Sequence, residues 1–297
     1  MDNSIIVNGT EVNMADQVWA RFFNEGFFGF GEKGNFKYWS FAHFAPIVLF
    51  GIAIFLLFRY REAIRNWKHE ENLRFGLGIA MIICEMSYYW RLLYVGPGTL
   101  GEYSLLDKLP LQVCGWTCIL SAIMLFKKSK FIYPICFYVC LTIGLFPLLT
   151  PAVISTAGPG YYRYYQYWLE HILPPLGVFY MTFVYGYRVK MKDMLKGAGF
   201  LGILATLACL ANHFLPKLVA DFEGGYNPNY LYLAVGTLDG GGSLMDVLMK
   251  IAPSLWMRLV VLGAVVAVMF FAAYYIQKGL IKLYNHVQEK KSAAPQK

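Results

Sequence analysis

The chain is poor in charge: only 15% of its 297 residues are Asp, Glu, Lys or Arg, where a soluble domain carries roughly 25%. Apolar residues make up 58% of the sequence. They stand in long runs and do not form the stripes that mark one buried face of a soluble helix. The shortage of charge therefore excludes an ordinary soluble domain and indicates a membrane protein.

The marks of a secreted, disulfide-stabilised protein are missing as well. All cysteines lie inside apolar runs, where a disulfide framework is not expected: Cys84, Cys114, Cys118, Cys136, Cys140 and Cys209. Residues 1–37 have no basic start followed by an apolar block, so no cleavable signal peptide is predicted. The alternation of apolar and polar residues typical of membrane strands is also absent, which predicts an all-α fold.

What the sequence does contain is a series of apolar runs, each near the roughly 20 residues that span a bilayer as a helix. They predict transmembrane helices at Trp39–Phe58, Phe75–Val95, Leu109–Phe126, Phe131–Leu149, Tyr164–Tyr187, Met194–Leu215 and Ile251–Leu280. The predicted fold is a polytopic bundle of about seven helices over residues 39–281. An extracytoplasmic or interfacial segment, 1–38, precedes it, and a basic cytoplasmic tail, 282–297, follows.

The formal net charge of +8 is unevenly distributed along the chain. Lys and Arg cluster after the first, third and fifth runs and in the tail, so these parts are predicted to be cytoplasmic. The alternate loops, 96–108, 151–163 and 217–250, are poor in both residues. We therefore predict a multi-pass protein of the cell membrane with its amino terminus outside and its carboxyl terminus inside. No nucleic-acid partner is predicted.

Several ionisable residues fall inside the predicted spans, where they are costly and usually face a bundle interior or a water-filled cavity. They are His43, Glu85, Arg91, Glu170 and His171. The predicted orientation places them in the outer half of the membrane, with Glu85 nearer the middle of the membrane than the others. A polar chamber that opens outward is therefore expected.

A thiol and an imidazole at similar depth on two helices could act as a nucleophile and its general base. Cys114 and His171 fit that description, although a packing cysteine and a structural histidine would show the same spacing. The pairs Cys114/Cys118 and Cys136/Cys140 have C-x3-C spacing, but only Cys118 and Cys140 would lie level. No metal site and no cofactor is predicted.

Five segments carry a resemblance to a known family. They are Trp39-x3-His43, Glu85 to Arg91, Leu109-Pro-Leu-Gln-Val-Cys114, Tyr165-Gln-Tyr-Trp-x2-His171 and Asn229-Tyr230-Leu-Tyr-Leu233. In this order they resemble the YwaF family of bacterial integral membrane proteins and its animal relative, transmembrane protein 164, from about residue 39 to 259. Relatives often have His where this chain has Gln112. The animal member is described as an acyltransferase that remodels ether phospholipids with a Cys and a His, and those roles map onto Cys114 and His171.

The resemblance implies a membrane-embedded lipid acyltransferase in which His171 deprotonates Cys114. A phospholipid would donate the acyl group, and the thioester would pass it to a lysolipid. Substrate-binding or supporting roles are expected for His43, Glu85, Arg91, Gln112, Trp168, Asn229 and Tyr230. Arg91, Gln112 or Asn229 could donate hydrogen bonds to an oxyanion or a headgroup.

Two alternatives stay open. The same Cys–His pair would serve a lipid ester hydrolase, with water as the acyl acceptor. A transporter or receptor would instead bind a small anion or a lipid in the polar outer chamber without covalent chemistry, with Arg91 supplying the charge.

Overall fold

The structure, a computed structural model, describes residues 4–7, 10–13, 36–94, 109–151, 158–160, 162–218, 228–234 and 250–293. A short antiparallel hairpin pairs β1 (Ser4–Val7) with β2 (Thr10–Asn13). The other regular elements of the described residues are helices.

Helical structure is present in every segment where an apolar run predicted it. The α-helices are α1 (Phe41–Arg59), α2 (Arg61–Asn66), α3 (Glu70–Tyr94), α4 (Val113–Lys127), α5 (Ile132–Cys140), α6 (Phe146–Leu149), α7 (Tyr162–Phe183), α8 (Met194–Leu218) and α9 (Leu255–Ala293). Short 3-10 turns occupy Ile143–Leu145, Met191–Asp193 and Tyr230–Tyr232. The last helix continues through the predicted boundary between the bundle and the tail.

Three helical segments among the described residues are long and apolar enough to cross a membrane: Phe41–Arg59, Met191–Lys217 and Leu255–His286. A fourth is added if Ile132–Cys140 and Ile143–Leu149 form one span that is bent by 44°. The prediction of a helical membrane protein is confirmed. The count of seven spans stays a prediction. Helices α3 and α7 carry too many polar residues to be identified as spans by length and hydropathy, and α4 is short.

The helices divide into a central and a peripheral group. Helices α3, α4 and α7 pack against one another, and α5 packs against α4, α7 and α8. The peripheral helices α1, α8 and α9 present apolar side chains outward, for example Phe41 (87% exposed), Leu195 (77%) and Val260 (71%). A helix that is apolar on its outer face suits a lipid environment, so the polar residues are left to the centre.

The central helices share one apolar core, in which Met81, Cys118, Leu125 and Met181 are fully buried. Cys118 also makes a specific contact between α4 and α7. Pro174 has no N–H to donate to the carbonyl of Glu170 one turn earlier, and the Cys118 thiol donates to that carbonyl at 3.5 Å. This bond fixes the position of α4 along α7, one turn from Cys114.

Candidate active site

Cys114 is the second residue of α4, whose amino-terminal cap is Gln112. The first-turn N–H groups of an α-helix have no acceptor within the helix, and the positive end of the helix dipole favours a thiolate there. The chain entering α4 is held in place because Trp116 Nε1 donates to the Pro110 carbonyl at 2.6 Å. The thiol thus lies in the first turn of α4, at the positive end of the helix dipole.

Helix α3 approaches this helix end at Gly115. A Cβ on Gly115 would lie 2.4 Å from Oε1 of Glu85, so a larger residue would displace the carboxylate. Glu85 is buried and interacts with Tyr89, one turn further along α3. Glycine at this position therefore brings the Glu85 carboxylate against the first turn of α4.

The carboxylate that the Cys114 thiol contacts belongs to Glu170 on α7. Glu170 is the charged group that acts most strongly on the thiol, and Gln166 Nε2 donates to Oε2 at 2.9 Å. Arg163 Nη1 lies 3.4 Å from the same oxygen. Glu170 is only 6% exposed, so these partners compensate a charge that has been removed from solvent.

Arg163 is itself held between two aromatic rings. Its guanidinium carbon lies 4.9 Å from the ring centre of Tyr88 on α3 and 5.6 Å from that of Tyr167 on α7. Such cation–π contacts stabilise a cation away from bulk water. Arg163 therefore joins α3 to α7 and directs its charge at Glu170.

His171 follows Glu170 in the chain and lies on the neighbouring face of α7. Its Nδ1 is 2.7 Å from the Tyr167 carbonyl oxygen, which can only accept, so Nδ1 carries the proton and Nε2 is the basic nitrogen. The Glu170 carboxylate is close enough for a charge interaction with the imidazole. No hydrogen bond joins His171 to Cys114 in the described part of the chain.

Trp168, on a different face of α7 from Glu170, lies next to His43 of α1. Their ring centres are 5.8 Å apart, and Trp168 points about 200° around the helix from Glu170. His43 Nδ1 accepts from the Trp39 N–H at 3.1 Å, and Nε2 donates to the Leu148 carbonyl at 2.9 Å. Both ring nitrogens of this buried histidine are therefore bonded to backbone groups.

Asn229 and Tyr230 lie in a loop segment, 228–234, that is bonded to α8 and to the chain entering α4. The Asn212 side chain on α8 donates to the Tyr230 carbonyl at 3.0 Å and accepts from its N–H at 2.8 Å. The Tyr230 hydroxyl accepts from the Leu109 N–H at 3.0 Å. This loop supports the chain entering α4, a short distance before Cys114.

Two further predicted site residues lie near the ends of helices. Gln112 is exposed, and its side chain makes no capping bond to α4. Arg91 lies near the end of α3, but its side chain is outside the described residues.

The profile of the TMEM164 family matches residues 38–278. The chain belongs to the TMEM164 family. No curated protein and no solved structure matches it. The expected relationship to transmembrane protein 164 is thus confirmed, and the matched range includes Cys114, His171, His43 and Tyr230.

In this TMEM164-family chain the sequence reasoning missed Arg163 and Gln166. The sequence predicts Arg163 in the outer loop 151–163, whereas in the structure it is the second residue of α7. Its spacing from Glu170 was the available signal: residues seven apart lie on one face of a helix, and Gln166 is on the same face. The site therefore contains two carboxylates and one guanidinium around a thiol, and the described residues include no cluster suited to a metal ion.

Proposed function

We propose that this protein is a membrane-embedded lipid acyltransferase that carries the acyl group on Cys114. One observation carries the proposal: the Cys114 thiol lies in the first turn of a helix, among the buried carboxylates of Glu85 and Glu170. A packing cysteine needs no such surroundings. Membership of a membrane-protein family is consistent with a lipid substrate.

We further propose seven spans, with the amino terminus outside and the site in the outer half of the cell membrane. The lengths of the central helices support this count, since the 25 residues of α3 and the 22 of α7 reach about 37 and 33 Å, against a hydrocarbon core of about 30 Å. Their polar residues face each other, which explains their low hydropathy. The clusters of Lys and Arg between alternate helices support the orientation.

The reaction has two half-reactions. The Cys114 sulfur attacks the ester carbonyl of a phospholipid, an S–C bond forms, and the C–O bond to the glycerol breaks. The thiol proton passes through His171 to the departing lysolipid oxygen. In the second half, the hydroxyl of an acceptor lysolipid attacks the thioester, its proton returns to sulfur, and a new phospholipid leaves.

Two features of the site support these roles. The Nδ1–H of His171 is bound to the Tyr167 carbonyl, which fixes the tautomer whose Nε2 can accept a proton. The N–H groups in the first turn of α4 lie next to the sulfur and can stabilise the oxyanion of a tetrahedral intermediate. The apolar outer faces of α1, α8 and α9 give lipid chains a surface along which to approach.

The test is to incubate the purified protein with phospholipid labelled in its acyl chain and to trap the adduct. We expect a labelled protein that hydroxylamine deacylates, and none in Cys114→Ala or a greatly reduced amount in His171→Ala. Cys209→Ala on α8, away from the cluster, is the matched control and should form the adduct normally. Lysolipid is then added to measure transfer.

Each outcome assigns the protein to one functional class. Transfer of label to lysolipid supports the acyltransferase. An adduct that is released only to water assigns a lipid ester hydrolase, which overturns the transfer step but retains the nucleophile. Lipid binding without any adduct at Cys114 would refute covalent catalysis and favour a transporter or receptor.

A further inference from the structure

A polar cavity of about 290 Å³ lies at the end of α4 opposite to Cys114. It opens where the loop between α4 and α5 meets the chain that leaves α7, and it is lined by Lys130, Tyr133 and residues 185–188. The 15 residues of α4 rise about 22 Å, so this cavity is separate from the candidate active site. The clusters of Lys and Arg predict that this end of the bundle is cytoplasmic.

Arg188 brings a partly free guanidinium to the cavity. Its Nη1 donates to the carbonyls of Thr182 and Tyr187, each at 2.7 Å. A guanidinium has five N–H donors, and neither Nε nor Nη2 of Arg188 has a partner among the described residues. Nε and Nη2 form the fork that binds two oxygens of one phosphate. Arg188 is therefore anchored by one nitrogen and keeps this fork for a ligand.

Two lysines of the loop between α4 and α5 add positive charge beside the fork. Lys130 Nζ is 5.9 Å from the ring centre of Tyr187, and Lys128 Nζ is 4.7 Å from that of Tyr185. In the part of the chain that the structure describes, neither lysine forms an ion pair with a carboxylate, and Arg188 forms none either. The charge at this cavity thus favours an anionic ligand.

Hydrogen bonds hold the walls of the cavity together. The Tyr133 hydroxyl on α5 is 2.8 Å from Thr182 Oγ1 on α7 and donates to the Tyr187 carbonyl at 3.1 Å. The Tyr187 hydroxyl donates to the Lys128 carbonyl at 2.6 Å. Between them, Gly186 turns the chain with a φ of 73°, a conformation that glycine adopts without strain. The cations are therefore positioned before a ligand arrives, which lowers the cost of binding.

The size and surroundings of the cavity favour a lipid headgroup. Small-molecule sites have volumes of about 300–1,000 Å³, so about 290 Å³ holds a headgroup and not a whole lipid. Phe131, the neighbour of Lys130, is 66% exposed and offers an apolar surface to an acyl chain. Basic pockets between the cytoplasmic ends of membrane helices bind the phosphates of anionic lipids.

We propose that this cavity binds the phosphate group of an anionic phospholipid. The fork of Arg188 binds two phosphate oxygens, and the ammonium group of Lys130 supplies a second charge. This site is independent of the proposed acyl transfer, since it lies at the other end of α4.

The test measures the melting temperature of the purified full chain in a neutral detergent, because a ligand that binds the folded protein raises it. The probes are short-chain phosphatidylglycerol, phosphatidylcholine with the same acyl chains, and inorganic phosphate. We expect phosphatidylglycerol to raise the melting temperature most, since the choline cation of phosphatidylcholine opposes binding and inorganic phosphate has no apolar part. An equal effect of the two lipids would overturn the proposal. An equal effect of inorganic phosphate and phosphatidylglycerol would assign the site to free phosphate and overturn the lipid.

Variants of the cavity exclude a lipid that is bound elsewhere. Lys130→Gln should weaken binding of phosphatidylglycerol by about fivefold, and Arg188→Gln by about tenfold or more. Arg188→Lys should recover only part of the affinity, because an ammonium group has no fork. Lys192→Gln is the matched control: it removes one exposed charge from the same end of the bundle without lining the cavity.

The Lys130 side chain makes no hydrogen bond within the described residues, so Lys130→Gln tests the site even if Arg188→Gln fails to fold. Equal weakening in Lys130→Gln and Lys192→Gln would assign binding to diffuse surface charge and overturn the cavity as the site. Unchanged affinity in Lys130→Gln would overturn it as well. Absence of an acyl adduct at Cys114 would refute the proposed function alone and leave this lipid site standing.

Discussion

Gly115 offers a direct test of the packing around the thiol. In Gly115→Ala the new methyl would lie 2.4 Å from Oε1 and 3.0 Å from Cδ of Glu85, about 1 Å inside a normal contact distance of roughly 3.5 Å. Overpacking of this kind in a filled interior costs about 1–3 kcal/mol. Against this, Ala is the better helix former by about 1 kcal/mol, so we expect a net loss of up to about 2 kcal/mol.

The overlap should also change reactivity. Either the Glu85 carboxylate moves or α3 and α4 separate, and the second response shifts Cys114, the neighbour of Gly115. A displacement of about 1 Å at a reacting group costs on the order of 10²-fold in rate. Thermal unfolding in detergent micelles and the rate of acyl-adduct formation measure the two effects separately.

Gly202→Ala is the matched control, since a Cβ on Gly202 in α8 meets nothing within 4 Å. It should be neutral or stabilising by up to about 1 kcal/mol. Shortening the acid in the double variant Gly115→Ala/Glu85→Asp should recover part of the lost stability. Equal melting temperatures and adduct rates for Gly115→Ala and Gly202→Ala would refute the close contact between α3 and α4.

Two further predictions concern stability alone. Burial raises the pKa of Glu70, but hydrogen bonding from Tyr180 and the charge of Arg74 outweigh it, so the net pKa lies below the ordinary 4.5. The stability that this lowered pKa gives is present above pH 4.5 and is lost as pH falls through the folded-state pKa. Glu70→Gln should therefore flatten the acid limb of a curve of melting temperature against pH, and an unchanged limb would contradict this. Cys118→Ala should cost about 1–3 kcal/mol by leaving a buried carbonyl unbonded. Cys118→Ser should retain the bond, and adding Pro174→Ala to Cys118→Ala should recover stability because an N–H returns; melting temperatures that fail to recover would exclude this explanation.

Apolar runs located the helices well because burial in lipid selects for apolar residues irrespective of tertiary contacts. They located the ends less well. Helix α4 begins at Val113 and not at Leu109. Proline disfavours a helical backbone in the residue before it, and the Leu111 N–H donates back to the Leu109 carbonyl at 2.7 Å. The run Phe131–Leu149 is broken where Thr142 bonds back to the carbonyl of Tyr138, a contact known to bend helices.

The partner of the thiol could not be deduced from the same patterns. The alternation of inward-running and outward-running helices predicts how deep a residue lies in the membrane. It does not predict how each helix is rotated about its own axis. Depth alone paired Cys114 with His171, whereas rotation turns Glu170 to the thiol and Trp168 to His43. One residue along an α-helix changes direction by about 100°, so level residues on neighbouring helices need not meet.

The polar cluster also explains why apolarity identified only some of the helices as spans. Helices α3 and α7 hold Glu85, Arg163 and Glu170, whose partners are one another and the side chains between them. Ionisable groups at membrane depth are retained where they pair in a bundle interior. The residues that lower the hydropathy of α3 and α7 are therefore the ones that surround the thiol, so low hydropathy in a central helix of this fold marks the site.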